Sequence, residues 1–365
     1  MKIKSNEKTR KNCSSIQIWY ESALDDSVDL ELDINLWRLD NQNNTAYFDL
    51  GLKIHDSLKV ARAYVYFPFV FDSSQITDLG DRLKDLDIVK GVFNEEYSVH
   101  LDRKHIVVQD TNTAEEKFRI YRMDSRDLKV ENDFNGVKGT VVSFAVSDGN
   151  NNHTLYYRFR IKVDELLPFI EHYQPKNSFF ESAFIETEMI DVRINEKRNQ
   201  DDNLIEHIAQ NKRFILRDVH FFVMTSLKDD VVSDGKNLVY KRQLEMGGFW
   251  KDYLEDYPYG RMSVYKSNNV KYVKDKKSDQ ASKSVPTEIT DQNDKLDQVD
   301  KSNQDTYYIE DFDCFARVNY RKCNKKTIVR YSVTLLVSTI ALTFISEALY
   351  DIIKWLVELF VNFVF

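Results

Sequence analysis

The sequence has little cysteine. Cys13, Cys314 and Cys323 are the three in 365 residues, too few and too scattered for a disulfide framework, and no Cys-x-x-Cys or Cys/His metal-ligand spacing occurs. A reducing cytosol fits that usage. A basic surplus is also missing. Fifty-nine acidic residues stand against 51 basic ones, for a net charge of -8, so there is no global electrostatic case for duplex nucleic acid, and an anionic ligand has to meet a local patch. No Gly-rich phosphate loop, His-Glu-x-x-His, Gly-x-Ser-x-Gly or fixed-period repeat is present. The opening "MKIKSNEKTRKNCSS" lacks the apolar run of a signal peptide. The expectation is a chain that is not an enzyme, needs no cofactor, and keeps its body in the cytosol.

Apolar and aromatic residues, in contrast, are ample at 42% and 13%, enough for a large core. From about Ile16 to Val163 their period is two. In "VDLELDINLW" Val28, Leu30, Leu32, Ile34 and Leu36 alternate with Asp29, Glu31, Asp33 and Asn35, which makes one apolar face and one acidic face. That acidic face either stands in water or holds a hard cation. The turn cluster "NQNN" leads to a hairpin partner, "AYFDLGLKI". Further aromatic or β-branched runs follow, one of them interrupted by Pro68, which predicts an edge or bulged strand. Past Pro168 strands ("FIETEMIDVRI", "RFILRDVHFFVMTS") mix with short helices ("DDNLIEHIAQN", "GGFWKDYLEDY"). The fold class expected is α+β: a β-rich antiparallel sandwich or jelly-roll-like body with a C-terminal transmembrane helical region. The body runs over 1–273, with the sandwich at 16–165 and an α+β extension at 166–273. Residues 274–306, without an aromatic until Tyr307, read as a disordered linker or loop, 307–326 as a basic juxtamembrane segment, and 327–365 as the transmembrane region.

Ligand candidates come from strand alternation. In "YYRFRIKV" Tyr156, Arg158, Arg160 and Lys162 share one face, an aromatic ring beside three cations. Arg forks grip phosphate oxygens and a ring stacks a base. Arg119 and Arg122 in "KFRIYRM" and Arg213 and Arg217 in "KRFILR" extend the set. The other reading pairs these cations across strands with acidic faces such as Asp29 to Asp33. His100 and His105 fit surface positions better than a metal site.

Tyr331 to Ile345 holds fifteen residues without a charge and, with its flanks, reaches the ~20 residues of a membrane span. Arg321, Lys322, Lys325, Lys326 and Arg330 precede it, the mark of a cytoplasmic flank. Beyond it Glu347, Asp351, Lys354 and Glu358 are spaced i, i+4, i+7 and i+11, one polar stripe on a greasy helix. Three arrangements suit the stripe: copies facing one another around a water-filled axis, an amphipathic element lying flat, or a helical hairpin that pairs Lys354 with Glu358 or Asp351. A β-rich body, basic faces and a membrane segment with aligned charges together resemble the transmembrane effectors of bacterial anti-phage defence, the Hailong effectors among them. That resemblance implies an ion channel in the bacterial inner membrane, a homo-oligomeric ring of four, growth arrest as the outcome, and control by a nucleotide or short single-stranded DNA oligomer from a partner nucleotidyltransferase. The alternative is a membrane-tethered binding module whose tail is only an anchor.

Overall fold

A computed structural model describes residues 15–364 except 25, 39–45, 125, 147–151, 164–167, 174–184, 198–199, 233–237, 245–248, 255–259, 267–270, 274–305 and 322–324. The predicted linker, apart from Thr306, and the "NQNN" turn fall outside the described residues. The body is a sandwich of two large mixed sheets, followed by one long apolar helix. In spatial order the first sheet runs Asp230–Val232, Phe312–Arg321, Ile185–Ile194, Ser15–Glu21, Arg62–Phe67, Thr140–Ala145 and Lys129–Asn132. The second runs Leu238–Gln243, Gly260–Lys266, Ile215–Ser226, Asp29–Arg38, Ala46–Ile54, Leu155–Val163, Glu116–Tyr121, His105–Asp110 and Tyr97–Asp102. Most neighbours are antiparallel, but Ser15–Glu21 with Ile185–Ile194, Leu155–Val163 with Glu116–Tyr121, and Asp29–Arg38 with Ile215–Ser226 are parallel.

The alternation in "DLELDINLWR" plays out as its period demands. Leu30, Leu32, Ile34 and Leu36 are fully buried between the sheets, against Ile16 and Ile18, Val65 and Phe67, and Ile190, Val192 and Ile194 of the other sheet. At ~25 cal/mol per Å² of apolar surface, burying each such side chain contributes about 1.5–3 kcal/mol, so this two-sided layer is what holds the sheets face to face. The hairpin with Ala46–Ile54 keeps the register Leu32↔Leu52 and Ile34↔Leu50. Arg62–Phe67 is paired on both sides and stops one residue before Pro68. The expected edge or bulge is not there, because a proline just past a strand removes no ladder donor.

Strands from beyond residue 165 lie inside both sheets, so the sandwich and its extension are one packed unit. Phe312–Arg321, within the stretch 307–326, is part of it too. Phe312–Arg321 pairs along its whole length with Ile185–Ile194 and turns Phe312, Cys314, Ala316, Val318 and Tyr320 inward. Its apolar period of two decides its place more than its cations do.

The outer faces carry smaller clusters. Helix Asp202–Ala209, capped by the Asp201 side chain accepting from Asn203 N–H, lays Leu204 and Ile208 on Trp19 and Tyr66. Helix Leu86–Phe93, capped likewise by Asp85, and helix Phe249–Leu254 cover part of the second sheet.

The C-terminal helix is Lys325–Val364, 40 residues without a break. Ile328–Phe363 is long and apolar enough to cross a membrane, and none of it is buried against the body. At 1.5 Å per residue it is ~60 Å long, about twice a hydrocarbon layer. It runs unbroken through "SEALYD", so the helical hairpin is not formed.

Candidate functional site

The outer face of the second sheet gathers most of the polar side chains singled out by alternation, but it sorts them into a sealed half and an open half. In the sealed half Tyr156, Arg158 and Arg160 do share a face, as their spacing predicted. Helix Phe249–Leu254 lies over them, and they are 0%, 0% and 7% exposed. Arg160 forks onto Asp49, Nε to Oδ1 at 2.7 Å and Nη2 to Oδ2 at 2.8 Å, and Nη1 donates to the Tyr253 carbonyl. Arg158 donates from Nε to Tyr253 Oη at 2.7 Å and from Nη1 to Tyr156 Oη at 2.6 Å. Trp37 Nε1–H donates to Asp49 at 2.8 Å, and the Arg160 guanidinium sits over the rings of Trp37, Tyr47 and Tyr253. A buried charge has to be paired to be tolerated, and Asp49, on the neighbouring strand, is that partner. The expectation of a solvent-facing phosphate grip at Tyr156, Arg158 and Arg160 is therefore corrected: the cations pair across strands, with Asp49 rather than with Asp29 to Asp33. Lys162 alone of the four is exposed.

The remaining cations do not converge. Arg119 pairs with Glu116 at 2.8 Å and Arg122 with Asp81 at 3.4 Å. Arg217 meets Asp29 at 2.7 Å. Arg213 lies on the other sheet opposite Trp19, where burial lowers its pKa despite Glu310.

The open half is a cleft of about 470 Å³. Its floor comes from neighbouring strands: Glu31 and Asp33, Lys53, and Asp218, His220 and Phe222. A bulge between Leu216 and Asp218 resets the alternation of Ile215–Ser226 there, so Asp218 pairs beside Glu31 and His220 beside Asp33 on the outer face, while Leu216, Val219 and Phe221 stay in the core. The walls are Phe118, Tyr97, Arg242 and the end of helix Leu86–Phe93 with Asn94 and Glu95. Glu31 accepts from Lys53 Nζ at 2.9 Å and faces His55 at 2.8 Å. Burial pushes its carboxyl up, but those two partners outweigh burial and bring it down to about 2. Asp33 joins the two halves: Oδ1 lies 3.1 Å from His220 Nδ1 and Oδ2 accepts from Tyr156 Oη at 3.0 Å. A continuous polar chain thus leads from the cleft through Tyr156 and Arg158 to Tyr253 and Asp49.

Sequence reasoning noted the acidic strand face but missed the cleft above it. Helix Leu86–Phe93 was not expected, although the Asp85 cap ahead of "LDIVKGVF" was there to find; the bulge at Arg217 leaves no such trace. Among the described residues no group of three or more His, Cys, Asp or Glu side chains is arranged to hold a metal ion.

On the tail, Glu347, Asp351, Lys354 and Glu358 all lie on the continuous helix and are exposed. At ~100° per residue they fall within about 60° of arc. Thr334, Thr339 and Thr343 upstream donate their hydroxyls to carbonyls four residues back, which satisfies them without water.

No family model matches the chain, and no curated protein matches it. Among solved structures it is similar to the M1 zinc metallopeptidase of Deinococcus radiodurans. A mutant of that enzyme bound to a Tyr-Ser-Ala substrate shows 6% identity and a TM-score of 0.25, and the unmutated enzyme 7% and 0.24. In each case the match covers 66% of this chain and 39% of the enzyme. Likeness at that level carries no argument about fold or chemistry here.

Proposed function

We propose that this chain is a ligand-controlled, homo-oligomeric effector of the bacterial inner membrane, in which copies of the tail helix assemble around a hydrated axis, conduct ions and arrest growth during phage infection. The observation that carries the reading is the single stripe of Glu347, Asp351, Lys354 and Glu358 on an unbroken apolar helix, exposed from Ser332 to Phe363. In lipid, each Asp or Lys near a helix centre costs about 2.5–3.5 kcal/mol on insertion scales. Turning four such groups toward a shared line of water removes most of that cost, and an anchor does not need them. Three acids against one lysine make the lining net negative, which favours cations. The basic run from Arg321 to Arg330 supports a body on the cytoplasmic side.

The body is the sensing part of this proposal. A nucleotide or short single-stranded DNA oligomer made by a partner nucleotidyltransferase is the ligand class that the resemblance to anti-phage effectors supports, and a ring of four is the assembly. Expression of the full chain in bacteria, followed with a potential-sensitive dye, tests the reading. The full chain is expected to depolarise cells, and Glu347→Leu or Asp351→Leu at equal expression is expected not to. If an unrelated transmembrane helix in place of residues 327–365 preserves the activity, the tail is only an anchor and the channel is excluded.

A further inference from the structure

The open cleft is the one concave surface described above whose side chains reach solvent from several strands at once, and its chemistry has a sign. Four carboxylates line it, Glu31, Asp33, Glu95 and Asp218, against two permanent cations, Lys53 and Arg242, which leaves a charge of -2 before His220 is counted, whose ring nitrogens face Asp33 at 3.1 Å and Asp218 at 3.6 Å. Aromatic rings stand among them: Phe93, Phe118 and Tyr97 in mutual contact, with Phe222 across the floor. The protein's own Lys53 shows how such a surface takes a cation. Its ammonium rests on the Glu31 carboxylate at 2.9 Å and lies 5.2 Å from the centre of the Phe118 ring, the geometry of a carboxylate-assisted cation–π contact.

We propose that this cleft binds a small organic cation carrying two or more amine or guanidinium groups. About 470 Å³ is room for a molecule of that kind, and a dication neutralises the residual charge. Asp218, Asp33 and Glu95 take the ammonium groups, and the rings cover the methylenes between them. A phosphate group in the same place meets twice as many carboxylates as cations, so the cleft selects against the ligand class proposed for the effector and is a separate input. The two inferences stand apart, because nothing in this one depends on what the tail does. The ammonium groups can belong to a free polyamine or to lysine side chains of a peptide.

Calorimetric titration of the detergent-solubilised full chain separates these sources, with spermidine in one arm and a trilysine peptide in the other. Saturable binding of either is expected, and the tighter of the two identifies the source. Loss of one charge-assisted contact is expected to weaken binding about tenfold or more in Asp218→Asn and in Glu95→Gln. Asp218→Glu is expected to restore part of the affinity. Glu95 stands in an exposed turn, so its variant carries the test if Asp218→Asn fails to fold. The proposal is overturned if neither cation saturates, if Glu95→Gln binds as the parent does, or if AMP displaces spermidine at lower concentration than spermidine itself requires.

Discussion

Arg38 and Glu188 meet inside the sandwich, one from each sheet, at 1% and 0% side-chain exposure. Arg38 Nε donates to Glu188 Oε2 at 3.0 Å, Nη2 donates to Oε1, and Tyr320 lies beside them. Both residues occupy core-facing positions of their strands, where the alternation calls for apolar side chains. Removing one partner strands the other charge in the interior. Glu188→Leu and Arg38→Met are each expected to lower stability by about 3–5 kcal/mol, and the double variant by much less than their sum. Urea melts of the detergent-solubilised chain check this, and additive losses would show that the two charges do not depend on each other.

Gly51 is set by Tyr156 on the neighbouring strand Leu155–Val163. A Cβ there would stand 2.1 Å from Tyr156 Oη and 2.7 Å from Cζ, so the glycine is what lets the Tyr156 ring lie across the strand and reach Asp33. Gly51→Ala is expected to cost about 1–3 kcal/mol through overpacking. Tyr156→Phe in the same chain removes the nearest atom only, so partial rescue is expected. A thermal melt that leaves Gly51→Ala unchanged would place the ring elsewhere.

Two carboxyls give opposite dependences on pH. Glu31 is held at about 2 by His55 and Lys53 against the effect of burial, below its unfolded value. Its contribution is present above about pH 4.5 and is lost as pH falls toward 2. Asp78 goes the other way: burial raises it to about 7, although backbone N–H groups of Gly80, Met123 and Asp81 pull it down. The folded state therefore holds that proton more tightly than the unfolded chain, and stability falls as pH rises from about 4 to about 7. Asp78→Asn is expected to raise the melting temperature near about pH 8 and to have little effect below about pH 4, whereas Glu31→Gln is expected to destabilise at neutral pH only. Melts of the two variants across that range check both signs.

Much of the fold was legible because the apolar period of two is strong and local. "DLELDINLWR", "FIETEMIDVRI" and "RFILRDVHFFVMTS" became strands, and "DDNLIEHIAQN" and "GGFWKDYLEDY" held helices. The ligand face was half legible. Alternation put Tyr156, Arg158 and Arg160 on one side of their strand, but it says nothing about what covers that side. The cover is a helix about ninety residues downstream, and the carboxylate that neutralises the arginines comes from the neighbouring strand. The cleft was illegible for a related reason: its floor depends on a parallel pairing between residues nearly two hundred positions apart and on a one-residue bulge within it.

Strand Phe312–Arg321 is hydrogen-bonded along its length into the sheet, and the helix begins at Lys325, four positions on. Four such steps span at most ~14 Å, a short leash. Helices that touch lie 8–10 Å apart, whereas each sandwich is several strands wide at ~4.8 Å per strand. In the ring of tails proposed above, the bodies would therefore crowd one another at the membrane surface. Under that proposal, steric crowding of the bodies, as much as affinity between tails, would set how many copies fit.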